Sequence, residues 1–300
     1  MTTQPRYPEI KAAAAAVGNT LSSAKIPNML WSWTALALFI VDHGFPEIEF
    51  LIQDNEVPQA TGALTKAGYK NCTDPSCSEL QEDRGAHLGD ALNRFHPVAA
   101  AHFHLPPPNG QGSGYLVSLL KKNDIIPHLP DLKLGLPKQK EYELLTLSID
   151  PRLPPRAEGG ASGPWYDLPF VRVPQDYTLA QALLLLRCRH VDTNPGLDGL
   201  WRDMLWEIRR FKQPHPFEFG EKHFSPLLGQ LWGDLVQGNP NYPPDVDLQH
   251  KLRGVELVRE ARDRMPRMSP DGKVLKAKKA AEHVYMTGDG RSGKVYYAKG

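Results

Sequence analysis

The chain has 300 residues, 41% of them hydrophobic and 23% charged, which excludes a disordered or collagen-like polypeptide and allows one sizeable core or two modest domains. Its formal charge of +1 conceals an asymmetry: residues 251–300 carry 13 Lys/Arg against 6 Asp/Glu, net +7, whereas the preceding 250 carry 22 against 28, net −6. A basic tail of this kind can contact nucleic acid or another acidic partner, although the interleaved Glu256, Glu260 and Asp263 also fit a solvated helical face.

The alanine-rich segment near 10–24 has high helix propensity and predicts a first helix. Its alanine run follows Glu9 and Lys11 with no long apolar region behind it, unlike a signal peptide. A break at Lys25-Ile26-Pro27-Asn28 leads into "MLWSWTALALFIV", 29–41, whose 13 residues suit a buried segment and are too few to cross a bilayer, so no membrane partner is expected. "EIEFLI", 47–52, bounded by Pro46 and Asp54-Asn55, reads as a strand. Residues 56–67 place apolar side chains at helical spacing, with Gly68 as the stop. Further strands are expected at "AAAHFHL" (99–105), "YLVSLL" (115–120) and "YELLTLSI" (142–149), the first two joined as a hairpin by "PPPNGQGSG". Residues 151–176, rich in Pro and Gly, predict an irregular crossing or domain boundary. "TLAQALLLLRCRH" (178–190) and "GLWRDMLWEIRRF" (199–211) read as helices, the second with Leu200, Met204, Ile208 and Phe211 along one stripe. Residues 269–300 form a basic, weakly structured tail in which "HVYMT" and "KVYYA" can pair as a hairpin. Three cysteines cannot build a disulfide framework and predict a reducing, cytoplasmic setting.

In a strand, Glu47 and Glu49 point to the same side, and two carboxylates on one face can hold Mg²⁺ or Mn²⁺ to clamp a nucleoside triphosphate. Alternation alone offers another account, with both acids facing water and Ile48, Phe50 and Ile52 facing the core. The order of residues 28–70, "NMLWSWTALALFIVDHGFPEIEFLIQDNEVPQATGALTKAGY", resembles the nucleotidyltransferase superfamily. That resemblance implies an α/β, mixed β-sheet core over residues 1–150 and a C-terminal α-helical unit over 177–268. It also implies Ser32 as a phosphate contact, Glu47 and Glu49 as metal carboxylates, and transfer of a nucleotidyl group to a small or macromolecular acceptor. Family members place glycine beside the position of Ser32, Asp-x-Asp on the strand and a third Asp on a later strand. Here Trp31 and Trp33 flank Ser32, the acids are Glu, and the later strand offers His102 and His104 as a substitute ligand or general base.

The segment from Cys72 to His104 supplies a different chemistry, because Cys72, Cys77, His87, His96, His102 and His104 are all potential ligands of Zn²⁺. His102 and His104 share a strand face, but Cys72-x4-Cys77 is wider than the commonest zinc couplet. A metal-dependent enzyme centred here, or a non-catalytic binding protein on a degenerate nucleotidyltransferase fold, therefore stands beside the transferase reading. Lys121 and Lys122 are candidate phosphate contacts at a strand end. Arg187 and Arg189 suit a helix C-terminus, and Trp201 and Trp206 a core. "GDGRSGK", 288–294, fits a P-loop in letters only, since Val295 follows and no helix can form after it. Ser113 lacks the spacing of a nucleophile elbow.

Overall fold

The computed structural model describes residues 5–40, 44–83, 95–107, 114–137, 144–157, 160–211, 224, 226–237, 248–264, 281–286 and 292–297. Helix α1, Ile10–Ser23, buries Ala13, Ala14, Val17 and Leu21. It ends with Lys25 in the left-handed region (φ 63°), where Ile26 N donates to Leu21 O at 3.0 Å and Lys25 N to Ser22 O at 3.0 Å. This is a Schellman closure without its usual glycine. The apolar stretch then divides in a way its composition did not announce: β1 (Asn28–Trp31) passes directly into a short helix, α2 (Ser32–Leu36). Strand β2 is Glu47–Ile52, and α3 is Val57–Lys66, stopped by Gly68 at φ 95° as its position predicts. Strands β3 (Ala101–His104) and β4 (Leu116–Lys121) form the expected antiparallel pair. Residues 108–113 of their linker, with Ser113, lie outside the described residues.

These strands form one mixed sheet in the order β1-β2-β4-β3, with β2 parallel to β4 and both outer pairs antiparallel. The α/β expectation therefore holds. Registered residues share a face, and one face carries Leu30, Phe50, Ile48, Val117, Leu119 and Phe103, all fully buried with α1 and α3 residues. A Cβ on Gly18 would stand 2.5 Å from Val171 Cγ1, so glycine lets α1 lie close against this layer. The other face carries the polar set described below.

Residues 151–176 do not part the chain. They contribute Leu153, Trp165, Val171 and Val173 to the same core, and the compact unit runs through Asp263. Of the strand expected at 142–149, residues 142 and 143 lie outside the described residues, and the rest holds β5, Leu145–Leu147, which pairs with β6, Arg172–Pro174, outside the main sheet. Lys122 opens the short helix α4, Lys122–Ile125. Helices α5 (Asp176–His190), α6 (Pro195–Phe211), α7 (Pro226–Gln237) and α8 (Leu248–Arg264) follow. None of the described helices is long and apolar enough to cross a membrane. Leu200, Met204 and Ile208 are buried along α6, as is Trp201, whereas Trp206 is half-buried. Arg187 does more than complement a helix terminus: its Nε donates to Asp198 Oδ1 at 2.9 Å, with both side chains buried. Residues Arg264–Gly300 form a second unit holding an antiparallel hairpin of β7, Ala281–Met286, and β8, Ser292–Tyr297. Lys294 is thus a strand residue opposite Val284, not the lysine of a phosphate loop.

Removing one member of the Arg187–Asp198 pair leaves a buried charge. Asp198→Ala is expected to cost about 3 kcal/mol in urea unfolding, whereas the double change Arg187→Met, Asp198→Leu is expected to recover most of that loss.

His128 and His190 are both held at about 4 by burial, reinforced by Lys122 and Arg189 respectively. In the unfolded chain they titrate near ~6.5. Stability is therefore full above that value and declines as pH falls towards about 4, with uptake of up to about two protons on unfolding. Urea midpoints at descending pH test this, and His128→Gln with His190→Gln is expected to flatten the decline.

Candidate metal centre and the acidic strand

Strand β2 is interior to the sheet, so Glu47 and Glu49 do not mark a solvated edge. Glu49 is 5% exposed and Glu47 half-buried. Glu49 pairs in register with Trp31 on one side and Ser118 on the other, and Ser118 pairs with His102. One row therefore runs Trp31, Glu49, Ser118, His102 across four strands, and a second runs Glu47, Leu116, His104. The acids and histidines share a face, yet β4 lies between them. Two inter-strand spacings put their backbones about 10 Å apart. The described strand next to Glu49 presents a hydroxyl, where a third carboxylate would be needed beside the pair.

The junction preceding this strand is unusual. Ser32 is buried and has φ 60°, a left-handed conformation that costs a non-glycine residue about 1–2 kcal/mol. It sits where β1 turns into α2, and the next turn is tied to the acidic strand because Thr34 Oγ1 donates to Glu47 O. The backbone thus adopts at Ser32 a geometry that glycine serves best.

Lys121 and Lys122 lie at the far end of β4: Lys121 pairs with Ile52, while Glu49 pairs with Ser118 three residues earlier. Lys121 is exposed, but Lys122 is 2% exposed and its Nζ donates to Leu129 O. Burial lowers the Lys122 ammonium below its ordinary range, with Asp131 and Asp54 opposing. Lys122 is therefore an internal tie, not a solvated phosphate contact.

The histidines meet the cysteines instead of the glutamates. One donor atom from each of Cys72, Cys77, His102 and His104 lies within 4.8 Å of every other. Cys77 Sγ is 3.3 Å from Nε2 of both His102 and His104. Local chemistry explains the convergence. Asp74 Oδ1 accepts from Ser76 N at 2.9 Å and Ser76 Oγ at 2.7 Å, while Cys77 N donates to Asp74 O at 3.1 Å. This Asp-Pro-Ser-Cys turn brings Cys77 back beside Cys72. Cys72 N in turn donates to His102 O at 2.9 Å, and Asn71 bridges Phe103 in antiparallel fashion. The cysteine segment is thereby hydrogen-bonded to β3, an edge strand of the sheet.

The donor set fits an ion. Tetrahedral bonds of ~2.3 Å to sulfur and ~2.0 Å to nitrogen require ligand atoms about 3.3–3.8 Å apart, and no pair in the cluster, all within 4.8 Å, exceeds that requirement by more than about 1.5 Å. Burial and then the His104 charge hold His102 below the usual imidazole range, and burial does the same to His104, so both rings are neutral ligands at pH 7. Burial chiefly, with Cys72 adding, pushes the Cys77 thiol up, while the Glu79 N–H opposes by hydrogen bonding to its sulfur. A dication among these atoms would reverse that balance and favour thiolate. His102 meets Cys77 through Nε2, so its buried Nδ1, without a hydrogen-bond partner among the described residues, is a polar atom that a bridging water would satisfy.

Two members of the sequence-derived set stand apart. His96 is buried with its Nε2 4.0 Å from Glu79 Oε2, and does not belong to the four-residue cluster. His87 lies outside the described residues. No family model, curated protein or solved structure matches the chain.

Zinc retention separates these roles. Cys77→Ser and His102→Ala are each expected to lose the ion on dialysis, with at least about tenfold weaker zinc affinity, whereas His96→Gln retains it. Metal analysis and cobalt substitution, which gives tetrahedral thiolate ligation a visible spectrum, check the outcome.

Proposed function

We propose that this chain is a zinc-binding protein on a nucleotidyltransferase-like α/β scaffold, with Cys72, Cys77, His102 and His104 as the four ligands of a structural ion. The observation that supports this reading is the approach of all four donor atoms to within 4.8 Å of one another. Two sulfurs and two imidazoles select Zn²⁺ over Mg²⁺ or Mn²⁺, which prefer oxygen ligands. Four protein ligands fill a tetrahedral ion and leave no position for substrate water, so the ion holds structure and performs no hydrolysis. It joins the Cys72–Cys77 turn to the edge strand β3. Purified protein is expected to contain about one zinc per chain and to lose about 4 kcal/mol of stability on chelation, a value corresponding to free zinc near 1,000 times Kd. Failure to bind added zinc would overturn the reading.

A second reading is favoured by the left-handed Ser32 beside two acids on one strand face. In it, Glu47 and Glu49 hold Mg²⁺ or Mn²⁺ and Ser32 contacts the phosphates of a nucleoside triphosphate. Ser118 beside Glu49 supplies no third carboxylate, so we favour nucleotide binding by a degenerate site over nucleotidyl transfer. Calorimetric titration with each nucleoside triphosphate, with Mg²⁺ or Mn²⁺ and then without either, leaves the zinc site untouched. The expected result is binding that requires the added ion and vanishes in a folded Glu47→Gln, Glu49→Gln variant. Binding unchanged in that variant would remove both glutamates from the role.

A further inference from the structure

We propose that Cys72 and Cys77 form a reversible oxidation site at which a peroxide converts the zinc-bound thiolate pair into a disulfide and releases the ion. This inference rests on the zinc reading above.

The two sulfurs belong to one cluster spanning 4.8 Å, and both cysteines are half-buried, so a small oxidant reaches them. Both lie on a loop outside the sheet's strands, closed by the Asp74 turn, and a disulfide of ~2.05 Å requires the sulfurs to close from a separation of at most 4.8 Å. The third cysteine is unsuited to resolve the reaction. Cys188 is 2% exposed within α5, and its Sγ donates to Val258 O at 3.8 Å. Its thiol is pushed up to about 11 by burial, which opposes formation of the nucleophilic thiolate.

The chemistry balances with peroxide as the oxidant. One thiolate attacks a peroxide oxygen, the O–O bond breaks, and a sulfenic acid and hydroxide form. The second thiolate attacks the sulfenic sulfur, the S–S bond forms and a second hydroxide leaves. The two sulfurs surrender two electrons to the peroxide, and two protons from solvent convert both hydroxides to water. The ion keeps only two neutral imidazoles, too few to retain it, and departs as Zn²⁺. The imidazoles of His102 and His104 then no longer share an ion with the loop, which remains attached to β3 through Cys72 N–H and His102 O.

The test uses the zinc-loaded full chain. Metal content is measured first. Hydrogen peroxide is then added with a chromophoric zinc chelator, followed by intact mass, peptide mapping, and treatment with a thiol reductant and zinc. The expected outcome is release of about one zinc per chain, loss of two hydrogens relative to the dithiol, a disulfide joining only Cys72 and Cys77, and recovery on reduction. Cys188→Ser is expected to behave identically. Zinc retained under peroxide, sulfinic acids without a disulfide, or a disulfide including Cys188 would each overturn the inference while leaving the zinc site standing. A chain that holds no zinc before peroxide is added overturns both, and the initial metal measurement identifies that case.

Discussion

The placement of β2 between an antiparallel neighbour and a parallel one constrains everything else on the sheet. Its period-two alternation sends Ile48, Phe50 and Ile52 into a fully buried layer under α1 and α3, and each such side chain contributes roughly 1.5–3 kcal/mol when removed from water. A one-residue slip would drive Glu47 and Glu49 into that layer, so the register is strongly specified. The same register commits the opposite face to a polar row running from Trp31 through Glu49 and Ser118 to His102. Packing on one side thus determines which chemistry can assemble on the other.

At the end of that row the sheet stops at β3, a strand whose free side would otherwise offer unpaired backbone groups. The Asn71–Cys72 segment covers part of this edge through one bridge and one hydrogen bond. A zinc ion held by two residues of the edge strand and two of its cover would add a strong crosslink to a short, weak pairing. The four candidate ligands suit that task because burial favours neutral imidazoles, and only the two thiols would have to give up protons. Stability of the edge and the redox state of the cover are then properties of one cluster.

The acidic strand and its preceding junction have a different balance. Ser32 holds a backbone geometry natural to glycine, and Glu49 is buried beside a serine and a tryptophan. These features support a phosphate-facing turn and a two-carboxylate face, but the adjacent strand adds no third acid. Lys122, a phosphate-contact candidate by its place at a strand end, is instead consumed in holding the chain after β4. In the second reading proposed above, a site with these parts would bind a metal-bound polyphosphate without transferring a group from it.

Much of the architecture was legible in the residues. Alanine content marked α1, alternation marked β2, Gly68 marked the end of α3, and the apolar stripe marked α6, because each signal acts within a few residues of chain. The split of the apolar stretch into β1 and α2 was not legible, since a continuous hydrophobic run carries no periodicity to separate strand from helix. The core role of residues 151–176 was hidden for a related reason: Pro and Gly report local backbone preference, whereas Leu153, Trp165, Val171 and Val173 are ordered by distant partners. Sequence by itself determined that Glu47 and Glu49 share a face, that His102 and His104 do, and that Cys72 and Cys77 lie close together in a polar loop. Only the tertiary structure decided which of these pairs meet. Strand order inserts β4 between acids and histidines while a loop contact carries the cysteines to the sheet's edge, and such neighbours, remote along the chain, are chosen by global packing.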